Sequence, residues 1–236
     1  MASERTVAVV PAAGRGERMG GATNKAFLLL GDRPLLAHAL GVLETCPLVD
    51  EIVVAVGEGE EDACRREVLE PFELRKVTGV IRGGASRQES VRLALRYVGT
   101  GAGLVVIHDG ARPLLPHELL VRTIEAGRRS GAAVVGLPVK DTVKRVDADG
   151  HVAETLDRRR LWQIQTPQVF WRDLIQMAHA RAAERGVIAT DDAALVELLR
   201  HPVLVLEGLE ENIKVTTPLD LLTARAILAS REKARA

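Results

Sequence analysis

The sequence predicts an α/β fold: a three-layer, mostly parallel sheet with helices on both faces and a β-arm protruding from it. Three observations carry this expectation. Short, near-continuously apolar runs rich in Val and Ile recur along the chain, as strands buried on both faces require. Amphipathic stretches of helical length alternate with them, which implies right-handed crossovers between parallel neighbours. After Pro138 the alternation stops, and a polar stretch with a turn signal replaces it.

In chain order, "TVAVV" (6–10) reads as the first strand and 33–46 as a helix. Strand "EIVVAV" (51–56), helix 60–70, strand "GVI" (79–81), helix 86–98, strand "LVVIHD" (104–109), helix 116–130 and strand "AAVVGLPV" (132–139) follow. In "SRQES" (86–90), Ser86 as N-cap and Glu89 three residues on make a capping box. Pro116 suits the first turn of its helix. "TVKRV" and "HVAET" flank "DADG", whose Asp149-Gly150 is a hairpin signal, so 138–166 reads as the arm. Helices resume at 171–184 and at 191–200, the latter capped by Asp191. "PVLVLEG" (202–208) reads as a strand, "NIKVT" follows, and a last helix starts at Pro218. A single domain over 1–236 is expected, ending without a fused second enzyme.

Composition narrows the function classes. The chain has 236 residues, is 47% hydrophobic and 27% charged, and balances 32 Lys+Arg against 32 Asp+Glu. Zero net charge argues against a general nucleic-acid binder, and 3% aromatics offers no stacking platform for single strands. Cys46 and Cys64 form neither a C-x-x-C motif nor a disulfide framework, which suits a reducing cytoplasm. The N-terminus lacks the pattern of a signal peptide, and no apolar run approaches a membrane span.

Ligands of open parallel sheets bind at the carboxyl ends of the strands, so the loop after "TVAVV" is a prime candidate. It carries Gly14, Gly16, Arg15, Arg18 and Lys25 and almost no acid. A P-loop is absent. A dinucleotide fingerprint fits Gly14 and Gly16 but meets Met19 at the third glycine position. A nucleoside-triphosphate loop, with backbone N–H groups at the phosphates and Arg18 and Lys25 neutralising them, remains. A solvated turn with scattered cations competes with it.

The cation spacing distinguishes more than the glycines do. A-A-G-x-G-x-R-M followed by Lys25 resembles the signature of the sugar-phosphate nucleotidyltransferase superfamily. "GGASRQES" (83–90), "HDGARP" (108–113), "PVKDTVKR" (138–145), "DRRRLWQIQTPQVF" (157–170), "ATDDAALVE" (189–197) and "NIKVTTPLD" (212–220) follow in order. Together they resemble the family of 2-C-methyl-D-erythritol 4-phosphate cytidylyltransferases over nearly the whole chain. The first loop also leans toward the guanylyltransferases of molybdenum-cofactor assembly, which lack the arm motifs. The resemblance implies a Rossmann-like sheet of the nucleotide-diphospho-sugar transferase type and transfer of CMP from CTP, with Mg2+, to the methylerythritol phosphate.

Residue by residue, the resemblance implies that Arg18 and Lys25 contact the triphosphate and stabilise the pentavalent phosphorus. Pro11, Ala12, Ala13 and Gly14 line the nucleotide through their backbone, and Gly83, Arg87 and Ser90 lie near the cytosine. Asp109 holds the metal, and Arg112 holds either the substrate phosphate or Asp109. Thr142, Arg158, Thr166, Thr190 and Lys214 orient the second substrate, with Arg158 and Lys214 as catalytic cations. His108 and Trp162 read as packing residues. The family usually has Pro before the loop lysine; Asn24 stands there instead, which implies a looser loop. A homodimer with exchanged arms is the implied assembly. A ribitol-5-phosphate cytidylyltransferase and a non-catalytic nucleotide-binding regulator are the rival readings.

Overall fold

Seven strands form the central sheet of the computed structural model, which describes residues 5–14 and 24–234. They are β1 (Arg5–Pro11), β4 (Glu51–Val56), β5 (Val77–Arg82), β6 (Ala102–Ile107), β7 (Ala132–Pro138), β10 (Trp162–Trp171) and β11 (Leu204–Glu207). Two small antiparallel pairs stand apart from it: β2 (Leu29–Leu30) with β3 (Arg33–Pro34), and β8 (Lys144–Val146) with β9 (Val152–Thr155). The helices are α1 (Leu35–Thr45), α2 (Glu61–Cys64, continued by a π-helical turn over Arg65–Leu69), α3 (Arg87–Leu95), α4 (His117–Ser130), α5 (Arg172–Arg185), α6 (Asp192–Glu197) and α7 (Pro218–Lys233).

The strand order is β11-β7-β10-β6-β1-β4-β5. The β5-β4-β1-β6 half is parallel throughout, and β11 runs parallel to β7. Alternating side chains leave the sheet on both faces. Ala8, Val10, Ile52, Val54, Leu104 and Val106 pack with the α1 and α4 leucines on one side. Val9, Val53, Val105 and Ile107 pack with α3, α5 and α6 on the other. This two-sided burial is the three-layer architecture that the unbroken apolar runs imply. A smaller cluster around Leu30, Leu35, Leu114 and Val215 seats α7.

The sequence reading misses one strand of the central sheet. β10 runs antiparallel between β6 and β7, where no strand is expected. Its sequence hides it: Pro167 interrupts the segment, and a proline argues against a central strand because it cannot donate to the ladder. The sheet accommodates it with a register shift, Gln165 pairing with Val135 and Gln168 with Val134. The Thr166–Pro167 peptide is cis. The hairpin around Asp149-Gly150 is present as β8 and β9, but Trp162–Gln165 already pair with β7 in the main sheet. The "NIKVT" segment is a loop. Pro116 is the N-cap of α4, one position before the helix.

Helix α4 lies against β10 at Gly127, where an added Cβ would sit 2.4 Å from Val169 Cγ1 and 3.2 Å from its carbonyl oxygen. Gly127→Ala sets a helix-propensity gain of about 1 kcal/mol against an overpacking cost of about 1–3 kcal/mol. The clash wins because one contacting atom is backbone, so urea denaturation should show a lower midpoint. A raised midpoint would mean that α4 slides off β10 without cost.

Candidate active site

The strand order reverses at β1: β4 and β5 lie to one side of it and β6 to the other. Such a switch point opens a crevice at the carboxyl ends of the strands. Three loops meet there. The loop after β1 carries Ala12, Ala13 and Gly14, that after β5 carries Gly83, and that after β6 carries His108 and Asp109. Main-chain bonds splice them together: Ala12 N–H to Ala55 O at 2.7 Å, Gly83 N–H to Val56 O at 2.7 Å, His108 N–H to Val9 O at 3.0 Å and Gly110 N–H to Pro11 O at 3.2 Å. At Gly83 the approach is so close that a Cβ would lie 2.5 Å from Ala13 Cβ.

Asp109 is the centre of the crevice. Its Oδ1 accepts from Arg87 Nε at 2.8 Å, its Oδ2 accepts from Lys214 Nζ at 2.7 Å, and Arg112 Nε lies 3.8 Å from Oδ2. Burial alone would raise the Asp109 pKa. The charges of Arg87, Lys214 and Arg112 outweigh burial and hold the carboxyl far below its usual range. Arg112 thus faces Asp109, and its Nη1 donates to Asn212 O at 2.6 Å. Arg87 Nη2 and Arg112 Nε are buried donors without a hydrogen-bond acceptor among the described residues.

The β6 loop is locked from beneath. Asp109 N–H donates to Thr166 Oγ1 at 3.1 Å, and Thr166 Oγ1 lies 3.1 Å from His108 Nδ1. His108 Nε2 lies 3.1 Å from Arg112 O, which can only accept, so Nε2 carries the proton and Nδ1 accepts from the Thr166 hydroxyl. Burial pushes the His108 pKa down to about 4, so this ring is neutral near pH 7. Asn212 Nδ2 donates to Thr166 O at 2.8 Å and ties the Lys214 segment to the same point. Lys25 Nζ donates to Val215 O at 3.2 Å, which places the first-loop lysine beside that segment.

The structure therefore gathers Pro11, Ala12, Ala13, Gly14, Lys25, Gly83, Arg87, Ser90, Asp109, Arg112, Thr166 and Lys214 at one end of the sheet. Ser90 turns inward. It accepts from Gly84 N–H at 3.0 Å and donates to Ser86 O at 2.9 Å, so its hydroxyl shapes the Gly83–Gly84 loop. Ser86 caps α3 as expected, while Glu89 returns to the Ala85 N–H rather than to Ser86 itself. Arg18 lies outside the described residues. Thr142, Arg158 and Thr190 are exposed, and among the described residues no hydrogen bond or ion pair joins them to Asp109. Arg158 instead donates to Lys140 O within the arm. Thr190 borders a cavity of about 500 Å³ with Val134, Ile164 and Val205, which Asp109 does not line.

Two features escaped the sequence reading. Asn24 itself is 4% exposed with all its amide groups bonded inward, while loop residues 15–23, which bear on the expected loosening, lie outside the described residues. Asp192 was passed over for its neighbour Asp191, which caps α6 by accepting from Ala194 N–H at 3.0 Å. Asp192 is fully buried, accepts from Arg87 Nη1 at 2.7 Å and from His179 Nε2 at 3.0 Å, and so clamps the far side of the Arg87 guanidinium. Only the adjacency of two acids, one for the cap and one pointing inward, hinted at this in "ATDDAALVE".

Burial would raise the Asp192 pKa, but Arg87 and His179 lower it below the usual value. A depressed carboxylate contributes stability that is full above its unfolded value near pH 4 and is lost as pH falls toward the folded value. Asp192→Asn removes one partner of a buried pair and should cost about 3–5 kcal/mol. It should also flatten the decline of Tm below about pH 4. Calorimetry from pH 7 to pH 3 checks both; parallel Tm profiles for the two proteins would show that the Asp192 pKa is not lowered in the folded state.

The 2-C-methyl-D-erythritol 4-phosphate cytidylyltransferase family model matches residues 6–230. The enzyme of that name from Syntrophotalea carbinolica is 50% identical over 221 residues, covering 93% of this chain and 94% of that protein. The one from Desulforamulus reducens is 48% identical over 225 residues, covering 95% and 96%. Among solved structures, 4-diphosphocytidyl-2C-methyl-D-erythritol synthase from Anaerococcus prevotii superposes with a TM-score of 0.84 at 31% identity, over 96% of this chain and 97% of that one. The Thermus thermophilus cytidylyltransferase gives 0.78 at 35% identity, over 94% and 98%. With a match of this extent in both sequence and fold, the chain belongs to the 2-C-methyl-D-erythritol 4-phosphate cytidylyltransferase family.

Proposed function

We propose that this protein transfers CMP from CTP to 2-C-methyl-D-erythritol 4-phosphate, releasing pyrophosphate, in non-mevalonate isoprenoid synthesis. The observation that carries the reading is the buried Asp109 with Arg87, Arg112 and Lys214 around it, at the switch point and beside Lys25. A cluster with more cations than acids, and with two guanidinium donors unsatisfied, suits phosphate oxygens.

The nucleophile is a phosphate monoester with a second pKa of about 6, so it is mostly dianionic at neutral pH and needs no general base. One of its oxygens attacks the α-phosphorus of CTP; the new P–O bond forms as the bond to the β-phosphate bridging oxygen breaks, and pyrophosphate leaves with that electron pair. The task of the protein is to bring two polyanions into line and to stabilise added charge. Lys25, with Arg18, meets the triphosphate. Lys214 and Arg158 meet the incoming phosphate. The backbone of Pro11–Gly14 and the Gly83 loop hold the nucleoside, and a pocket built to bond the cytosine amino group disfavours a uracil carbonyl.

Asp109 fits a magnesium ion. Mg2+ takes one or two carboxylates and fills its shell with phosphates and water. Asp109 is ionised, and the Lys214 side chain that shares its Oδ2 is 35% exposed, so it can turn to a phosphate instead. The only group of three close metal-donor side chains among the described residues is Asp147, Asp149 and His151 on the exposed arm turn, away from this crevice. The ion would supply Lewis-acid stabilisation of the triphosphate oxygens. A pyrophosphate-release assay should show turnover with CTP and the methylerythritol phosphate, at least a hundredfold lower kcat/KM with UTP, and none in EDTA. Equal turnover with ribitol 5-phosphate would favour the rival substrate, and no turnover with any pair would favour a regulator.

The arm is proposed to complete the site of a second copy in a cytoplasmic homodimer. Its strands β8 and β9 are exposed throughout, with Val146 and Val152 more than half exposed, and a two-stranded ribbon is marginal in water alone. A two-fold partner is the commonest solution. Thr142 and Arg158, which no hydrogen bond or ion pair joins to Asp109 among the described residues, would then serve the neighbour. The test mixes two inactive variants, Lys25→Ala and Arg158→Ala, by joint unfolding and refolding. With exchanged arms, one site of each mixed dimer receives an intact Lys25 and an intact Arg158, and activity returns. Verified mixed dimers that stay inactive would refute the exchange.

A further inference from the structure

Asn24 immediately precedes Lys25, and its side chain is committed on three sides. Its Nδ2 donates to Ala12 O at 2.7 Å and to Glu60 Oε2 at 2.6 Å. Its Oδ1 accepts from Ala26 N–H at 3.0 Å, which caps the short 3-10 turn Lys25–Phe27. A primary amide has two donor hydrogens, and both are used. Glu60 Oε2 also accepts from Gly57 N–H at 2.8 Å, while Glu60 N–H returns to Gly57 O at 3.1 Å. The carboxylate thus fills the space a side chain at Gly57 would need: a Cβ there would lie 2.5 Å from Glu60 Oε2.

These bonds join three pieces of chain that no strand ladder connects at this point. One is the start of the loop after β1, where Ala12 is gripped at both ends, its N–H by Ala55 O and its C=O by Asn24. The second is the turn after β4. The third is the turn that carries Lys25, whose Nζ reaches Val215 next to Lys214. The origin of the Lys25 side chain is therefore set by hydrogen bonds of its neighbour, and one of those bonds is charge-assisted.

We infer that Asn24 and Glu60 form a positioning clamp that holds Lys25 in line with the phosphates at the crevice. The inference rests on the assignment of Lys25 to the triphosphate. Neither clamp residue touches the reacting atoms; both act through the placement of one cation. A cation displaced by about 1 Å loses far more in the transition state than in ground-state binding, where a flexible lysine can still follow a phosphate. Loss of the clamp should therefore lower kcat and leave KM for CTP nearly unchanged.

The experiment measures steady-state kinetics of the full-length protein with CTP, the methylerythritol phosphate and Mg2+ for Asn24→Ala, Glu60→Ala, Glu60→Gln, Lys25→Ala and Asn24→Ala/Lys25→Ala, with Tm for each. Asn24→Ala and Glu60→Ala should each lower kcat by about ten- to a hundredfold with KM for CTP within about twofold. Glu60→Gln keeps an acceptor for both N–H groups and should retain most of kcat. The double variant should be no slower than Lys25→Ala alone, because a residue that acts through Lys25 has nothing left to position. Additive losses in the double variant would overturn the clamp, as would a lowered Tm with unchanged kcat, or a change confined to KM. An active Lys25→Ala would overturn the assignment of Lys25 and with it the clamp, a result separable from an inactive Lys25→Ala beside an unaffected Asn24→Ala, which overturns the clamp alone.

Discussion

Asp109 is a buried carboxylate with three cations within 4 Å, and each cation comes from a different part of the chain. Arg87 rides on the first turn of α3, Arg112 on the loop after β6, and Lys214 on the crossing segment before α7. None of the three could be brought to the others without the acid, since like charges this close in a partly dry crevice repel by several kcal/mol. Asp109 could not remain ionised there without them, because burial works against its charge. The geometry of the site is thus mutual: the acid assembles the cations, and the cations keep the acid an acid. The β6–β1 pairing places Asp109, and Thr166 in β10 fixes its peptide from below.

That mutual arrangement explains why the sheet is not wholly parallel. A parallel strand between β6 and β7 would present its opposite end at the crevice. β10, running the other way, brings the Gln165–Thr166 corner there as the chain returns from the arm. Thr166 then bonds both His108 and Asp109, and Asn212 closes on the Thr166 carbonyl. The same strand whose start continues from the arm supplies the floor of the site. The arm and the floor beneath Asp109 are therefore parts of one continuous backbone.

Most of the layer architecture was legible because it rests on burial. Runs such as "EIVVAV" and "LVVIHD" have no polar face, and only a sheet covered on both sides can hide them. Caps at Ser86 and Asp191 were equally readable, because their chemistry is local. What could not be read depends on partners far away in sequence. β10 looks polar and proline-broken until β6 and β7 flank it. Asp192 looks like half of a cap until Arg87, 105 residues earlier, turns toward it. Asn24 looks like a lost proline until Ala12 and Glu60 accept its two donors. In each case the side chain was visible, and its meaning lay in a contact that spacing alone does not encode.

The three cations at Asp109 are not equivalent. Arg87 is held from both sides, by Asp109 and by Asp192, and Asp192 is itself anchored by His179. Arg112 is 8% exposed and tethered to Asn212 O. Both are fixtures whose removal would strand a buried carboxylate. Lys214 has its ion pair with Asp109 alone among the described residues, is 35% exposed on a flexible stem, and stands beside the carbonyl that holds Lys25. If Lys214 meets the incoming phosphate as proposed, it can leave Asp109 without breaking the rest of the network, since Arg87 and Arg112 still face the acid. That exchange would cost little because one cation–anion pair would be replaced by another. With Arg87 and Arg112 held in place and Lys214 partly exposed, such an exchange would leave Asp109 paired throughout.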